Sequence, residues 1–276
     1  VKRRAMMAFM QAAAGGLAAT AAAVCFAAAA AGSGSAASAA TNEAANQAAN
    51  QAANQTTNEP TNKAASSAGT ADQKASRADA DPQTASGVAD YNAGNLTVAR
   101  GEFSAAAARG NRLAEFDYAM MLLNGEGGAT DIGEGRKWLR KAADANMSHA
   151  QYVYGKMYDD GDFVEKNPTE AHQWFLKAAK QGHIQAELAL ANQFLDGRGT
   201  ARDNRQAFYW YKKAAEGGDM TAQYVTGSFY ERGGDGVPKN INIARAYYAA
   251  AAAQGDQVAL LKYRQLSAQL LKSAPQ

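Results

Sequence analysis

The three tryptophans of the chain, Trp138, Trp174 and Trp210, stand 36 residues apart, twice. A fixed period shared by rare residues constrains the fold more than composition does, because it implies one supersecondary unit stacked on copies of itself. Other residue types keep the spacing. Gly125, Gly161, Gly197 and Gly233 repeat it, as do Ala114, Ala150, Ala186 and Ala222. So do the pairs Ala142-Ala143, Ala178-Ala179 and Ala214-Ala215. After Gly233-Gly234-Asp235-Gly236 the spacing slips by one residue, as a one-residue loop insertion would cause. Tyr247 then takes the tryptophan place and Gly255 the glycine place.

Each unit reads as two helices. The first runs from about Ala150 to Asp159, with Ala150, Tyr154 and Tyr158 on one face at i, i+4, i+8. A glycine-containing loop follows. Asp131, Asn167, Asp203 and Asn240 hold one register and predict the start of the second helix, since their side-chain oxygens accept an orphan backbone N–H. Pro168, directly after Asn167, suits the first helical position, where a missing N–H costs nothing. Gly110, Asn146, Gly182, Gly218 and Gly255 predict its end, because Gly and Asn tolerate a left-handed cap. Small residues such as Ala150 and Ala178 let neighbouring helices approach, and Trp174 fills the gap beside them.

The stretch Ala186 to Thr221 reads A-E-L-A-L-A-N-Q-F-L-D-G-R-G-T-A-R-D-N-R-Q-A-F-Y-W-Y-K-K-A-A-E-G-G-D-M-T. It resembles the Sel-one-like repeat (SLR), a relative of the tetratricopeptide repeat. Ala150, Gly155, Tyr158, Gly161, Val164, Ala171, Trp174, Phe175, Lys177, Ala178, Ala179, Gln181 and Gly182 match that family's pattern. The first full unit departs from it, with Leu122 for Tyr and Gly128 for Val. The resemblance implies an all-α fold, an α/α superhelical solenoid of helix-turn-helix repeats. Full repeats are expected at 114–149, 150–185, 186–221 and 222–258. A short first unit precedes them at 86–113, carried by Tyr91-Asn92-Ala93-Gly94-Asn95 and Phe103, and a closing helix follows at 259–272.

Ahead of this domain, 86–276, the composition changes. Basic Lys2, Arg3 and Arg4 precede a run from Ala5 to Ala31 without charge, which predicts a signal peptide over 1–31. Uncleaved, the run is long enough to serve as an anchor. Cys25 follows Val24, where a lipoprotein signal would carry a small residue. Val1 in the place of Met fits a valine-type start codon of a bacterial gene. Residues 32–85 hold no large apolar side chain and include Ala-Ala-Asn-Gln three times over, from Ala44 to Gln55. Such a segment buries too little apolar surface to offset the entropy of ordering, so a disordered linker is expected. Export would place the protein in the periplasm or outside the cell.

With 28 basic against 26 acidic residues the chain lacks the electrostatic footprint of a nucleic-acid binder. One cysteine excludes a disulfide framework. His149, His172 and His183 are each expected as lone solvated side chains, so no metal site is predicted. Asp159, Asp160 and Asp162 lack the spacing and closing Glu of a calcium loop. Gly125-Glu126-Gly127-Gly128 and Gly197-Arg198-Gly199 complete no phosphate-binding fingerprint. No serine is followed three places later by lysine, so the serine penicillin-recognising pattern is missing. Neither catalytic residues nor cofactors are predicted.

The resemblance implies an adaptor that binds a protein or peptide on a concave face lined by the first helices. Counted from the leading alanine, the third and seventh places should point there: Phe116 and Met120, Tyr152 and Lys156, Leu188 and Asn192, Tyr224 and Ser228. The competing assignment for Phe116, Tyr152 and Tyr224 is packing between neighbouring first helices. The competing function is an envelope structural or glycan-binding protein holding cell-wall peptidoglycan, suggested by the tyrosines and the long tether. Membrane contact is expected only through the signal segment, if it is uncleaved.

Overall fold

A computed structural model describes residues 81–273. The expected signal peptide, and the expected linker up to residue 80, lie outside the described residues. The described chain is helical: α1 (Pro82–Asn92), α2 (Leu96–Ala108), α3 (Arg112–Asn124), α4 (Ile132–Asp144), α5 (Ser148–Asp160), α6 (Pro168–Ala179), α7 (Ile184–Asp196), α8 (Asn204–Glu216), α9 (Met220–Arg232), α10 (Ile241–Ala253) and α11 (Gln257–Ser273). Each helix packs on its neighbours in the chain, in the sequential manner of a solenoid.

Helix α1 begins inside the segment expected to be linker. Asp81 accepts a hydrogen bond from the Gln83 N–H at 2.9 Å and Pro82 occupies the first turn, which together start a helix. Its fully buried residues are the small Thr84 and Gly87, while Val88 and Tyr91 pack on the core partly buried. A Cβ on Gly87 would lie 2.8 Å from the Phe103 ring, so Gly87 is the place where α2 closes on α1.

The second helices start where the sequence predicts. Asp131, Asn167, Asp203 and Asn240 each accept a backbone N–H from the first turn of α4, α6, α8 and α10. Past their ends Asn146, Gly182, Gly218 and Gly255 take positive φ, as does Gly110 after α2. The first helices begin two residues before the leading alanines, at Arg112, Ser148, Ile184 and Met220. The reason is local: Asn111, His183 and Asp219 accept the N–H of Ala114, Ala186 and Ala222, so the alanine is the third residue of its helix. The closing helix likewise runs from Gln257, behind Asp256 and ahead of Ala259.

Within a unit, a small residue on the first helix faces a large one on the second. Gly155 faces Phe175, and Gly227 faces Tyr248. Trp174 meets Tyr154 edge-on at 5.1 Å, with the Lys177 ammonium 3.7 Å above the indole. Tyr247, in the tryptophan place, stacks on Tyr230 instead.

The place after each leading alanine is polar and buried: Glu115, Gln151, Glu187 and Gln223. A buried polar group is costly unless paired. Gln151 donates to the Ala143 carbonyl at 3.0 Å in the preceding unit and accepts from Gln181 at 2.7 Å in its own. Gln223 repeats this with Ala215 and Gln254. Glu115 pairs with Lys141 at 2.8 Å instead. Burial pushes the Glu187 carboxyl up to about 7, against the favourable charge of Lys213.

Candidate interaction surface

The predicted row on the first helices divides by burial. Phe116 and Met120 are 4% and 3% exposed, so both belong to the packing and, contrary to the expectation, present no contact surface. They are closed in because neighbouring first helices touch through this row: Phe116 meets His149 edge-on at 5.0 Å. Tyr152, Leu188, Tyr224 and Ser228 are half-buried, while Lys156 and Asn192 are exposed. Tyr152 stacks on His183 at 4.8 Å and packs on Phe175. Tyr224 packs on Tyr248 at 5.5 Å. Lys156 pairs with Asp160 at 2.6 Å, Asn192 accepts from the Tyr211 hydroxyl, and the Ser228 hydroxyl donates to the Val225 carbonyl. Every member of the row thus has an intramolecular role, and Tyr152, Lys156, Leu188, Asn192, Tyr224 and Ser228 keep part of their surface open.

The histidines differ from the solvated side chains expected. His149 Nδ1 lies 3.2 Å from His183 Nε2, across the boundary between two units. His183 also caps α7, its Nδ1 accepting the Ala186 N–H at 3.3 Å. With Nδ1 an acceptor, the neutral ring carries its proton on Nε2 and donates to His149. Burial lowers both rings, and the neighbouring His149 takes His183 down further, to about 4. His172 is also engaged, its Nδ1 3.0 Å from Gln193 Oε1. Gln193 in turn donates to Asp159, which pairs with Arg198 at 3.0 Å. These contacts join residues 34 or 21 positions apart, beyond what local sequence patterns show.

The loops between paired helices form a second surface. In three units the loop is tied to the second helix of the preceding unit. A Cβ on Gly127 would overlap the Leu96 carbonyl at the start of α2, and Arg100 donates to the Glu126 and Ala129 carbonyls. A Cβ on Gly199 would overlap the Pro168 carbonyl at the start of α6. Asn204 and Arg205 of α8 both bond Asp235. The loop after α5 is different. Phe163 stands where Gly127 and Gly199 stand, and it keeps their left-handed backbone at φ 63°. The signal was in the sequence, as a phenylalanine in the second glycine place of the loop.

Among the described residues no group of three or more His, Cys, Asp or Glu side chains could hold a metal ion. A family model described as the Sel1 repeat matches residues 112–147, 148–183, 184–219 and 221–256. The chain is similar to the crystal structure of a Sel1 repeat protein from Oxalobacter formigenes, at 32% identity and a TM-score of 0.61, over 66% of this chain and 74% of that one. It is also similar to c5321, a protective antigen of uropathogenic Escherichia coli strains displaying an SLR fold. That match has 25% identity and a TM-score of 0.45, over 68% of this chain and 49% of the other. A Sel1 repeat protein from Klebsiella pneumoniae matches at 18% identity and a TM-score of 0.42, over 71% and 96%. No curated protein matches the chain.

Proposed function

The chain belongs to the Sel1 repeat family, and from that premise we propose that it is a non-enzymatic adaptor of the bacterial cell envelope that holds a protein or peptide against its first helices. Sel1 repeat proteins are in general protein-interaction scaffolds. The observation that carries the finer reading is the half-open row of Tyr152, Leu188 and Tyr224 beside exposed Lys156 and Asn192. Aromatic and aliphatic side chains held rigid by packing lose little entropy on binding, and the changing polar neighbours supply selectivity. A repeat array offers such a row over several units, as an extended peptide or helix requires. Export rests on the basic start and uncharged run of residues 1–31.

The test is affinity capture from envelope extract with the full chain as bait. The variant carries Lys156→Glu, which changes an exposed side chain and leaves the packed rings in place. A protein retained by the natural chain and lost by the variant supports the row. Equal retention removes the row as the site. Retention of purified peptidoglycan in place of protein would favour the glycan-binding alternative. Cell fractionation tests export separately.

A further inference from the structure

The loop after α5 leaves an opening that the other loops close. A cavity of about 370 Å³ lies there, lined by Arg136, Tyr158, Val164, Glu165, Lys166 and Asn167. Its origin can be read from the repeat itself. Gly127 and Gly199 seat their loops directly on a backbone carbonyl of the preceding second helix, where no Cβ fits. Phe163 brings a Cβ and a ring to that place. By register it would press on Ile132 at the start of α4, the counterpart of Leu96 and Pro168. Ile132 is 43% exposed, whereas Leu96 and Pro168 are half-buried under their loops. Hydrogen bonds of the 161–167 loop run back to its own unit, from the Asp162 N–H to Met157 and from the Asn167 N–H to Tyr158. No hydrogen bond or ion pair joins residues 161–166 to α4 among the described residues.

The chemistry of the opening follows from the same register. Arg100 occupies the equivalent place one unit earlier and donates its guanidinium to two loop carbonyls. Arg136, 36 residues on, lines the cavity with the 164–167 stretch of its loop and makes no hydrogen bond or ion pair among the described residues. Its planar fork of donors is therefore free, and such a fork matches a carboxylate through two parallel hydrogen bonds. Lys166 adds a second cation against the single carboxylate of Glu165, and the Tyr158 ring and Val164 offer apolar wall for an aliphatic stem. We propose that this opening is a second docking site, separate from the first-helix row, which takes an acidic side chain of a peptide partner. Phe163 holds the loop open, and Arg136 receives the carboxylate.

The experiment is calorimetric titration of the full chain with tetraglutamate, acetylated and amidated so that its carboxylates are all side chains. Tetraglutamine capped in the same way is the comparison peptide. The natural chain should bind tetraglutamate roughly tenfold or more tightly than tetraglutamine, with an affinity that falls as salt rises. Arg136→Gln should lose about that factor, because it removes the fork. Phe163→Gly should lose it too, by letting the loop settle on α4. Lys137→Gln, which changes a neighbouring exposed cation of α4 outside the cavity, should stay within about twofold. Equal binding of the two peptides, no binding of tetraglutamate at millimolar concentration, or equal losses in the Arg136 and Lys137 variants would each overturn the proposal. The proposal rests on Arg136 and the loop after α5 and not on the first-helix row, so its failure would not bear on the adaptor reading.

Discussion

At the scale of single residues, Phe163 and His183 carry the sharpest consequences. A bulky residue at positive φ is held there against its own preference, at a cost of about 1–2 kcal/mol. Phe163→Gly should therefore raise thermal stability by a few degrees although it removes a ring, and a melting curve by circular dichroism checks this. A fall in melting temperature would mean that the ring contributes more packing than the backbone costs. His183 governs an acid response. Its folded pKa is lowered to about 4, below the ordinary 6.5, so the unfolded chain binds the proton more readily. Its stabilising contribution is present in full above about 6.5 and is lost as pH falls toward about 4. Protonation would place a hydrogen on the nitrogen that caps α7 and a positive charge at the helix start, both unfavourable. His183→Asn keeps a capping oxygen, as Asn111 does for α3, and removes the titration. Urea midpoints at pH 7.5 and 5 should show a smaller acid loss in this variant than in the natural chain. The comparison must be between chains, because burial raises Asp117 and Glu187 to about 7, which works in the opposite direction.

At the scale of elements, the buried polar place explains why units differ at the ends of their second helices. Where the place is Gln151 or Gln223, the unit supplies Gln181 or Gln254 to meet it. Where it is Glu115 or Glu187, the matching residues are Ala145 and Gly217, and the lysines Lys141 and Lys213 serve instead. The Glu187 arrangement is the poorer one. With a folded pKa raised to about 7 from 4.5, the folded chain binds the proton more tightly, so stability declines as pH rises through that interval. Glu187→Gln should leave stability at pH 4.5 nearly unchanged and raise it at pH 8 by about 1–3 kcal/mol, measured by denaturant titration. A loss at pH 8 would show that the Lys213 attraction outweighs the cost of burial.

At the scale of the whole described array, stability is a sum of unit and interface contributions, and the interfaces are unequal. The contact between α4 and α5 is the sparsest of those joining consecutive units, and among the described residues the loop after α5 adds no hydrogen bond or ion pair to α4. One apolar cluster runs continuously from α6 to α11, and another joins α2 to α3. Amide hydrogen exchange should accordingly separate α1–α4 from α5–α11, with the N-terminal block opening more readily. Uniform protection across α4 and α5 would contradict this. The acidic-peptide site lies at the same boundary, so tetraglutamate should slow exchange in α4 more than in α8.

The period, the caps and the left-handed turn residues were legible in the chain because each depends on residues close in sequence. Asp131, Asn167, Asp203 and Asn240 satisfy N–H groups two or three positions away, and Asn146, Gly182 and Gly255 need only their own backbone freedom. The sequence therefore determined the repeat, the helix pairs and the family to which the chain belongs. Contacts across units were decided by tertiary structure alone. Whether Phe116 meets a partner or His149, whether His149 and His183 stand apart or touch, and whether an arginine at one register grips a loop or faces an opening depend on how neighbouring units are set. That setting follows from the fit of large against small side chains between helices, as where Gly155 meets Phe175 and Gly227 meets Tyr248.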